Sequence, residues 1–256
     1  MRTETPEAAA RRIFGERAAT YSTSAAHTDP QVLARVLALC APRPDSTVLD
    51  IATGTGHTAL ALAPHVRSVV GTDLTPEMLA EAERLRVARG TDNVRFRPAD
   101  VHHLPFTDGT FDVVTCRRAA HHFSDIVRAL REMRRVLRSG GRLVIDDRSV
   151  PEDDFVDACM NQLDRYHDES HVRQYRASEW RTMLAAAGFN VDVVEPYRKH
   201  RALRALTDGV SVDNVARIQA VIEALTPPQR AAMNVNEVDG EIYLDHYYVL
   251  VAADRG

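Results

Sequence analysis

The chain has 256 residues, 45% hydrophobic and 27% charged, with a formal net charge of −4. That length supports one substantial core, and the acidic balance gives no electrostatic case for nucleic acid as a partner. Cys40, Cys116 and Cys159 are isolated, with no pairing or metal spacing, and neither a membrane-spanning apolar run nor a signal-peptide pattern is present, so a soluble cytoplasmic protein with no membrane or metal partner is expected.

In chain order, residues 1–45 read as a helical cap, with helices from Ala8 to Arg17 and Pro30 to Cys40 separated by a polar stretch containing Tyr21. Val48 to Ala59 follows as a short apolar strand, a glycine-bearing turn and the start of a helix. Gly54 and Gly56 allow positive φ and close approach of a ligand, at the strand-to-helix position where open α/β sheets bind nucleotides. Gly54-x-Gly56-x-x-Ala59, with Asp73 about 20 residues on, fits a loose dinucleotide fingerprint. Asp50 tilts the balance, because a carboxylate there repels a pyrophosphate and attracts an ammonium group. S-adenosylmethionine carries such a group, so it is favoured over NAD.

A second strand, Val69 to Asp73, ends in an acid whose two oxygens suit two ribose hydroxyls. Thr75-Pro76-Glu77 then opens a helix with a cap, a first-turn proline and an acid at the positive end of the dipole. Val94 to Arg97 is a third strand, followed by Asp100 to accept an adenine amino group and Val101 to pack on the ring. The fourth strand, Phe111 to Cys116, runs into Arg117-Arg118-Ala119-Ala120-His121-His122. Arg128, Arg131, Arg134, Arg135 and Arg138 read as a solvated helix face before a fifth strand, Gly141 to Asp147. After an inserted region over 151–180, with a helix start at Pro151-Glu152-Asp153-Asp154 and Phe155, Cys159, Leu163 and Tyr166 at helical spacing, come a helix over Ala177–Ala187, a strand over Asn190–Pro196, a helical segment over about 200–235 and a last strand over Ile242–Ala252. Alternating strands and helices imply a parallel sheet with right-handed crossovers. The expected organisation is a single unit: cap 1–45, cofactor-binding core 46–150, and a remainder 151–256 carrying substrate-pocket helices and the last two strands.

The motifs VLDIATGTG, VVGTDLTPEML, RPADVHHLPF, AAHHFSD and VLRSGGRLVI, in that order over roughly 45–150, resemble the class I S-adenosylmethionine-dependent methyltransferases. The likeness is greatest to the ubiquinone/menaquinone-biosynthesis C-methyltransferase group. It implies a Rossmann-like α/β fold: a seven-stranded, mostly parallel sheet whose antiparallel last strand slots between strands five and six. It also implies S-adenosyl-L-methionine as cofactor, with Asp50, Gly54 and Gly56 at its amino-acid end and Asp73 on the ribose. Leu74 would lie against the adenine, Asp100 and Val101 at its edge, and Tyr21 would close over the cofactor. Thr53 stands where many members have glycine or another small residue.

Methyl transfer aligns a nucleophile with an already activated methyl group, and a base is needed only where the nucleophile must lose a proton. His121 and His122, just past strand four, are the candidate catalytic pair, with one of them facing inward. Arg117 and Arg118 suit a cofactor carboxylate, an acidic substrate group or a structural salt bridge. Arg148, Arg165, His171 and Tyr175 are candidates for the acceptor pocket. The expected reaction is methylation at C or O of a small molecule; a cofactor-binding protein without transfer, and an NAD-dependent oxidoreductase, remain as alternatives.

Overall fold

The computed structural model describes residues 4–256. Five parallel strands make the centre of the sheet: β1 (Thr47–Ile51), β2 (Ser68–Asp73), β3 (Val94–Pro98), β4 (Phe111–Arg117) and β5 (Leu137–Val150). Their spatial order is β3-β2-β1-β4-β5, so the chain winds outward from β1 and then returns to its other side. The reversal between β1 and β4 leaves a crevice at the carboxyl ends of those two strands, where open α/β sheets hold ligands.

The sheet continues through the last long strand, β9 (Glu241–Arg255), to β7 (Phe189–Ala202). β9 is antiparallel to both β5 and β7 and lies between them, as the family resemblance implies. Two short strands raise the count from seven to nine among the described residues: β6 (Tyr175–Arg176) beside β5, and β8 (Asn236–Val238) beside β9. β7 also runs to Ala202, pairing His200 with Asp245 and Arg201 with Leu244, where a helical segment from about 200 was expected. Arg198, Lys199, His200 and Arg201 carry no apolar alternation, so the strand period is invisible in the sequence there.

Helices cover both faces. α1 (Pro6–Tyr21) is capped by Thr5, whose hydroxyl accepts the Ala8 N–H, and α2 (Ala25–Thr28) follows it. α3 (Pro30–Cys40) is capped by Asp29, which accepts from Gln31 and Val32 and is bonded by Lys199 of β7. α4 (His57–Leu62) and α5 (Pro76–Ala88) follow β1 and β2. On one face of the sheet, α6 (Ile126–Val136) and α8 (Ala177–Ala186) bring Leu130, Met133, Trp180 and Leu184 onto Leu49, Leu143 and Ile145. On the other face, α3 and α4 set Val36, Leu60 and Leu62 against Val48, Val113 and Val144. Trp180 is fully buried, so truncating it to alanine would cost about 3–5 kcal/mol.

A third cluster lies beyond the sheet. α7 (Asp154–His167), α9 (Arg204–Thr207), α10 (Val212–Glu223) and α11 (Pro227–Ala232) gather around Met160, Leu163, Leu206, Ile218, Ile222 and Leu244. The arginines of α6 lie on its outward face, exposed at Arg128 and Arg131, and three also bond to protein: Arg128 donates to the His102 carbonyl, Arg134 to the Gly188 carbonyl, and Arg135 pairs with Glu132 and Asp108. No described helix is long and apolar enough to cross a membrane.

Candidate active site

Two carboxylates end β1 and β2 at the crevice. Asp50 is 1% exposed and accepts the Thr53 hydroxyl at 2.5 Å and the Thr115 hydroxyl at 2.7 Å. Burial pushes its pKa above the ordinary carboxylate value, against the pull of those two hydroxyls. Thr53, which departs from the family's small residue, therefore supplies half of the side-chain hydrogen bonding of Asp50. Asp73 accepts the Gly54 N–H at 2.8 Å and the Thr75 N–H at 2.9 Å, fastening the turn after β1 to the start of α5.

A cavity of about 120 Å³ opens over these groups. Asp50, Thr53, Gly54, Asp73 and Arg117 line its polar part, and Ile51, Leu74, Met78, Val101 and Phe123 its apolar part. Gly54 has φ +53° and nothing within 4 Å of where a Cβ would stand, so the cavity side of the turn is clear. Gly56 has a different role: it lies off the cavity wall, and with φ +83° a Cβ would stand 2.8 Å from Phe96 Cζ. It lets α4 start against β3.

Asp100 is also off the wall, although Ala99 and Val101 line it. One of its oxygens takes the His102 N–H at 2.8 Å and meets His102 Nδ1 at 2.7 Å, so the carboxylate caps the turn at Val101–His103. Arg117 donates through Nε to Thr58 Oγ1 at 2.9 Å and through Nη2 to the His27 carbonyl at 2.7 Å. Its Nη1 is buried with no hydrogen-bond partner among the described residues. A buried donor left in that state is costly, and a ligand acceptor would relieve it.

A second cavity, about 410 Å³, adjoins the first; Phe14, Tyr21, His27, Arg118 and His122 border both. Tyr21, at the end of α1, sets its ring 4.6 Å from that of His27 and 5.8 Å from that of Phe14, and burial raises its hydroxyl pKa. Arg118, at φ +56°, donates to Asp146 at 2.9 Å and to the Tyr197 hydroxyl at 2.9 Å. It is thus a buried ion pair within the sheet as well as part of the wall.

The two adjacent histidines are held differently. His121 is buried; its N–H donates to Asp147 at 2.8 Å and its Nδ1 lies 2.6 Å from the other oxygen of Asp147. Its carbonyl accepts the N–H groups of Val172 and Arg173. Burial and the neighbouring His122 and Arg148 hold its pKa well below the ordinary value, and burial pushes Asp147 up to about 6.

His122 lies at the junction, with Nδ1 3.0 Å from Ser170 Oγ. Ser170 has one hydroxyl proton and gives it to Asp168 at 2.6 Å. Burial pushes Asp168 up, but His122 and two hydrogen bonds from Ser170 outweigh this and hold it down to about 2, so it is ionised. Ser170 can therefore only accept from His122, which fixes a proton on Nδ1 and leaves Nε2 as the ring nitrogen not tied to Ser170.

The acceptor-pocket expectations need two corrections. Arg148 and His171 do line the second cavity, with Arg148 2.5 Å from Asp164 and His171 Nε2 3.0 Å from Asn161 Oδ1. Arg165 and Tyr175 line neither cavity. Arg165 is exposed, because α7 turns its neighbours Asp164 and Asp168 inward instead. Tyr175 packs its ring edge on Trp180, 5.7 Å between centroids. Sequence reading did not single out Arg17, His27, Asp164, Asp168, Arg201 or Tyr248, all of which line the second cavity.

An acid at the end of each of the first two strands, a clear glycine turn and a mixed polar and apolar cavity at the switch point define a nucleoside-binding α/β enzyme. Comparison with known proteins narrows the class. Residues 49–145 match the family model described as a methyltransferase domain. The chain is 40% identical over 186 residues to the uncharacterized methyltransferase YcgJ of Bacillus subtilis, spanning 73% of this chain and 71% of that one. The crystal structure of YcgJ agrees with a TM-score of 0.82 at 32% identity, covering 87% of this chain and 97% of its own. A putative methyltransferase from Bacillus halodurans gives 0.83 at 32% identity, covering 87% and 98%. Demethylmenaquinone methyltransferase of Thermus thermophilus is 46% identical over 113 residues, 43% of this chain and 51% of that one. The chain belongs to the class I S-adenosylmethionine-dependent methyltransferases, which sets aside the nicotinamide alternative.

Proposed function

We propose that this enzyme moves a methyl group to carbon or oxygen of a small-molecule acceptor held in the second cavity, with His122 as general base. The observation that carries the reading is His122 itself, bordering both cavities with its proton fixed on Nδ1 by Ser170 and Asp168.

The residues of the first cavity suit the cofactor. Asp50 would face its ammonium group, the unpartnered Nη1 of Arg117 its carboxylate, and Asp73 the ribose hydroxyls, while Leu74, Met78 and Val101 would enclose the adenine. When bound, S-adenosylmethionine supplies a methyl group already activated by a sulfonium. His122 would take the proton of an acidic C–H, enol or phenol at Nε2, and Asp168, through Ser170, would steady the ring as it becomes cationic. His121 anchors the 170–173 loop through its carbonyl and serves as scaffold. Tyr21 and Phe14 would screen the junction from water.

The second cavity is lined mainly by charged and polar side chains, which suits a small polar acceptor better than one with a long apolar tail. The test has two parts: calorimetric titration with S-adenosylhomocysteine, and transfer of a labelled methyl group into a metabolite extract. Binding and transfer that is lost in His122→Ala would support the assignment. Full transfer by His122→Ala would remove the base, and no binding of S-adenosylhomocysteine would remove the cofactor site.

A further inference from the structure

The second cavity has an imbalance of charge that the transfer of a methyl group does not require. Four arginines and three aspartates line it, but Arg118 is paired with Asp146 behind the wall and Arg148 with Asp164, so the guanidinium groups without a carboxylate are Arg17 and Arg201. The two buried aspartates are matched: Asp164 lies 2.5 Å from Arg148, and Asp168 is bonded by Ser170 next to His122. The third, Asp208, is exposed. Among the described residues no carboxylate lies within ion-pair distance of Arg17 or Arg201. Arg17 donates to the Gly209 carbonyl at 2.8 Å, and Arg201 reaches only the Tyr248 hydroxyl, at 3.4 Å.

Tyr248 shows where this positive charge converges. It is 2% exposed, on β9, directly across from Arg148 on β5. The Arg118 guanidinium lies 3.9 Å from its ring centroid, and Arg201 sits at its hydroxyl. Burial alone would push this phenol up, yet Arg118, Arg148 and Arg201 outweigh burial and leave it below the ordinary tyrosine value. His27 and His167 feel the same field: burial first, then the neighbouring arginines, hold them down to about 3 and about 4. Both rings are neutral at pH 7 and add no charge. Arg17 and Arg201 therefore carry charge with no carboxylate paired to either, and such a guanidinium suits an incoming oxyanion.

We propose that the methyl acceptor carries an oxyanion, a carboxylate or a phosphate, which docks on Arg201 and Arg17 beside Tyr248 in the second cavity. The proposal rests on the reading of that cavity as the acceptor site. It gives the acceptor two ends: an anion held at the Arg201 side, and the methylated atom at the His122 junction.

The test uses the intact protein saturated with S-adenosylhomocysteine and three probes: benzoate, phenyl phosphate and benzamide. Benzoate and benzamide have nearly the same shape and differ in charge. Binding is read by calorimetry and by shifts of histidine side-chain NMR signals. The expected result is saturable binding of benzoate or phenyl phosphate with benzamide at least tenfold weaker, and at least tenfold weakening of the anion in Arg201→Gln, with Arg17→Gln reduced to a smaller degree. Arg131→Gln, on the exposed face of α6, should bind as the unaltered protein does. The response of carboxylate against phosphate identifies which anion the site prefers. Equal binding of benzoate and benzamide, or undiminished anion binding in a folded Arg201→Gln, would overturn the proposal. The affinity for S-adenosylhomocysteine, measured first in the same samples, separates the two failures: its absence defeats the cofactor reading, and its presence without anion selectivity defeats only this one.

Discussion

The cavity over Asp50 and Asp73 takes most of its wall from short stretches at strand ends, within residues 50–58, 73–78 and 99–102. The cavity beyond His122 takes its wall from α1, the segment after it, β5, α7, β7, β9 and the loop after α9. In the first, residues that line the cavity also set the turn geometry, as Asp73 does by fastening Gly54 and Thr75. In the second, the side chains from α7, α9 and β9 project from elements packed elsewhere, around Leu163 and Ile218, and others come from α1 and the turn after β4. A site of the first kind is constrained by its own backbone, and one of the second kind can change one side chain at a time.

The contrast is sharpest in substitutions that should affect one cavity and spare the other. The largest effect is expected from His122→Ala: kcat lower by about 10²–10⁴, with the affinity for S-adenosylhomocysteine little changed. A parallel loss of both would mean that the histidine is structural. Asp73→Asn should weaken S-adenosylhomocysteine by roughly 2–3 kcal/mol, since it removes a charged acceptor from the ribose position, and calorimetry reads this directly. Unaltered affinity would place the ribose elsewhere.

Arg117→Gln should cost the same ligand about tenfold while leaving methylthioadenosine, which has no amino-acid end, as it was. Equal losses for both ligands would remove the carboxylate contact.

The smaller expected effects concern stability. A histidine held below its unfolded pKa stays neutral in the fold while the unfolded chain takes up a proton, so stability is lost as pH falls below about 6.5. His27, at about 3, and His167, at about 4, should each contribute roughly 1 kcal/mol of loss by pH 5.5. Asp147 and Asp164, both raised to about 6, act in the opposite sense: the fold holds their protons more tightly, so they add stability as pH falls from 7 towards 5. His121, His171 and His246 are also lowered, so the histidines should prevail and Tm should fall between pH 7.5 and 5.5. His167→Gln should make that fall shallower, and an identical pH slope in the variant would show that His167 does not contribute. Arg165→Ala, at an exposed position away from both cavities, should leave binding and Tm unchanged.

The same division explains what the sequence reveals. Asp50, Gly54, Asp73 and Leu74 are legible as cavity lining because turn chemistry and the cavity wall coincide within a few residues. Arg201 and Tyr248 belong to one cavity but lie 47 positions apart, joined only by the β7–β9 ladder. Local periodicity carries no trace of that pairing, and the charged run at 198–201 hides the strand itself. Arg165 shows the limit at finer scale: one step along α7 separates a solvent-facing arginine from the inward Asp164. Thr53 departs from the small residue of the motif, and its hydroxyl on Asp50 gives the departure a structural role that the motif alone does not reveal.

β9 pairs with β5 only as far as Tyr248, then continues with β7 to Tyr243. Beyond β5 the two strands therefore project as a ribbon, and Arg201 rides on it. Mutational drift on such an overhang leaves the central strands and the cavity over Asp50 and Asp73 intact, so descendants of one ancestor could reshape the second cavity by altering this ribbon and the helices at its tip while inheriting the first unchanged.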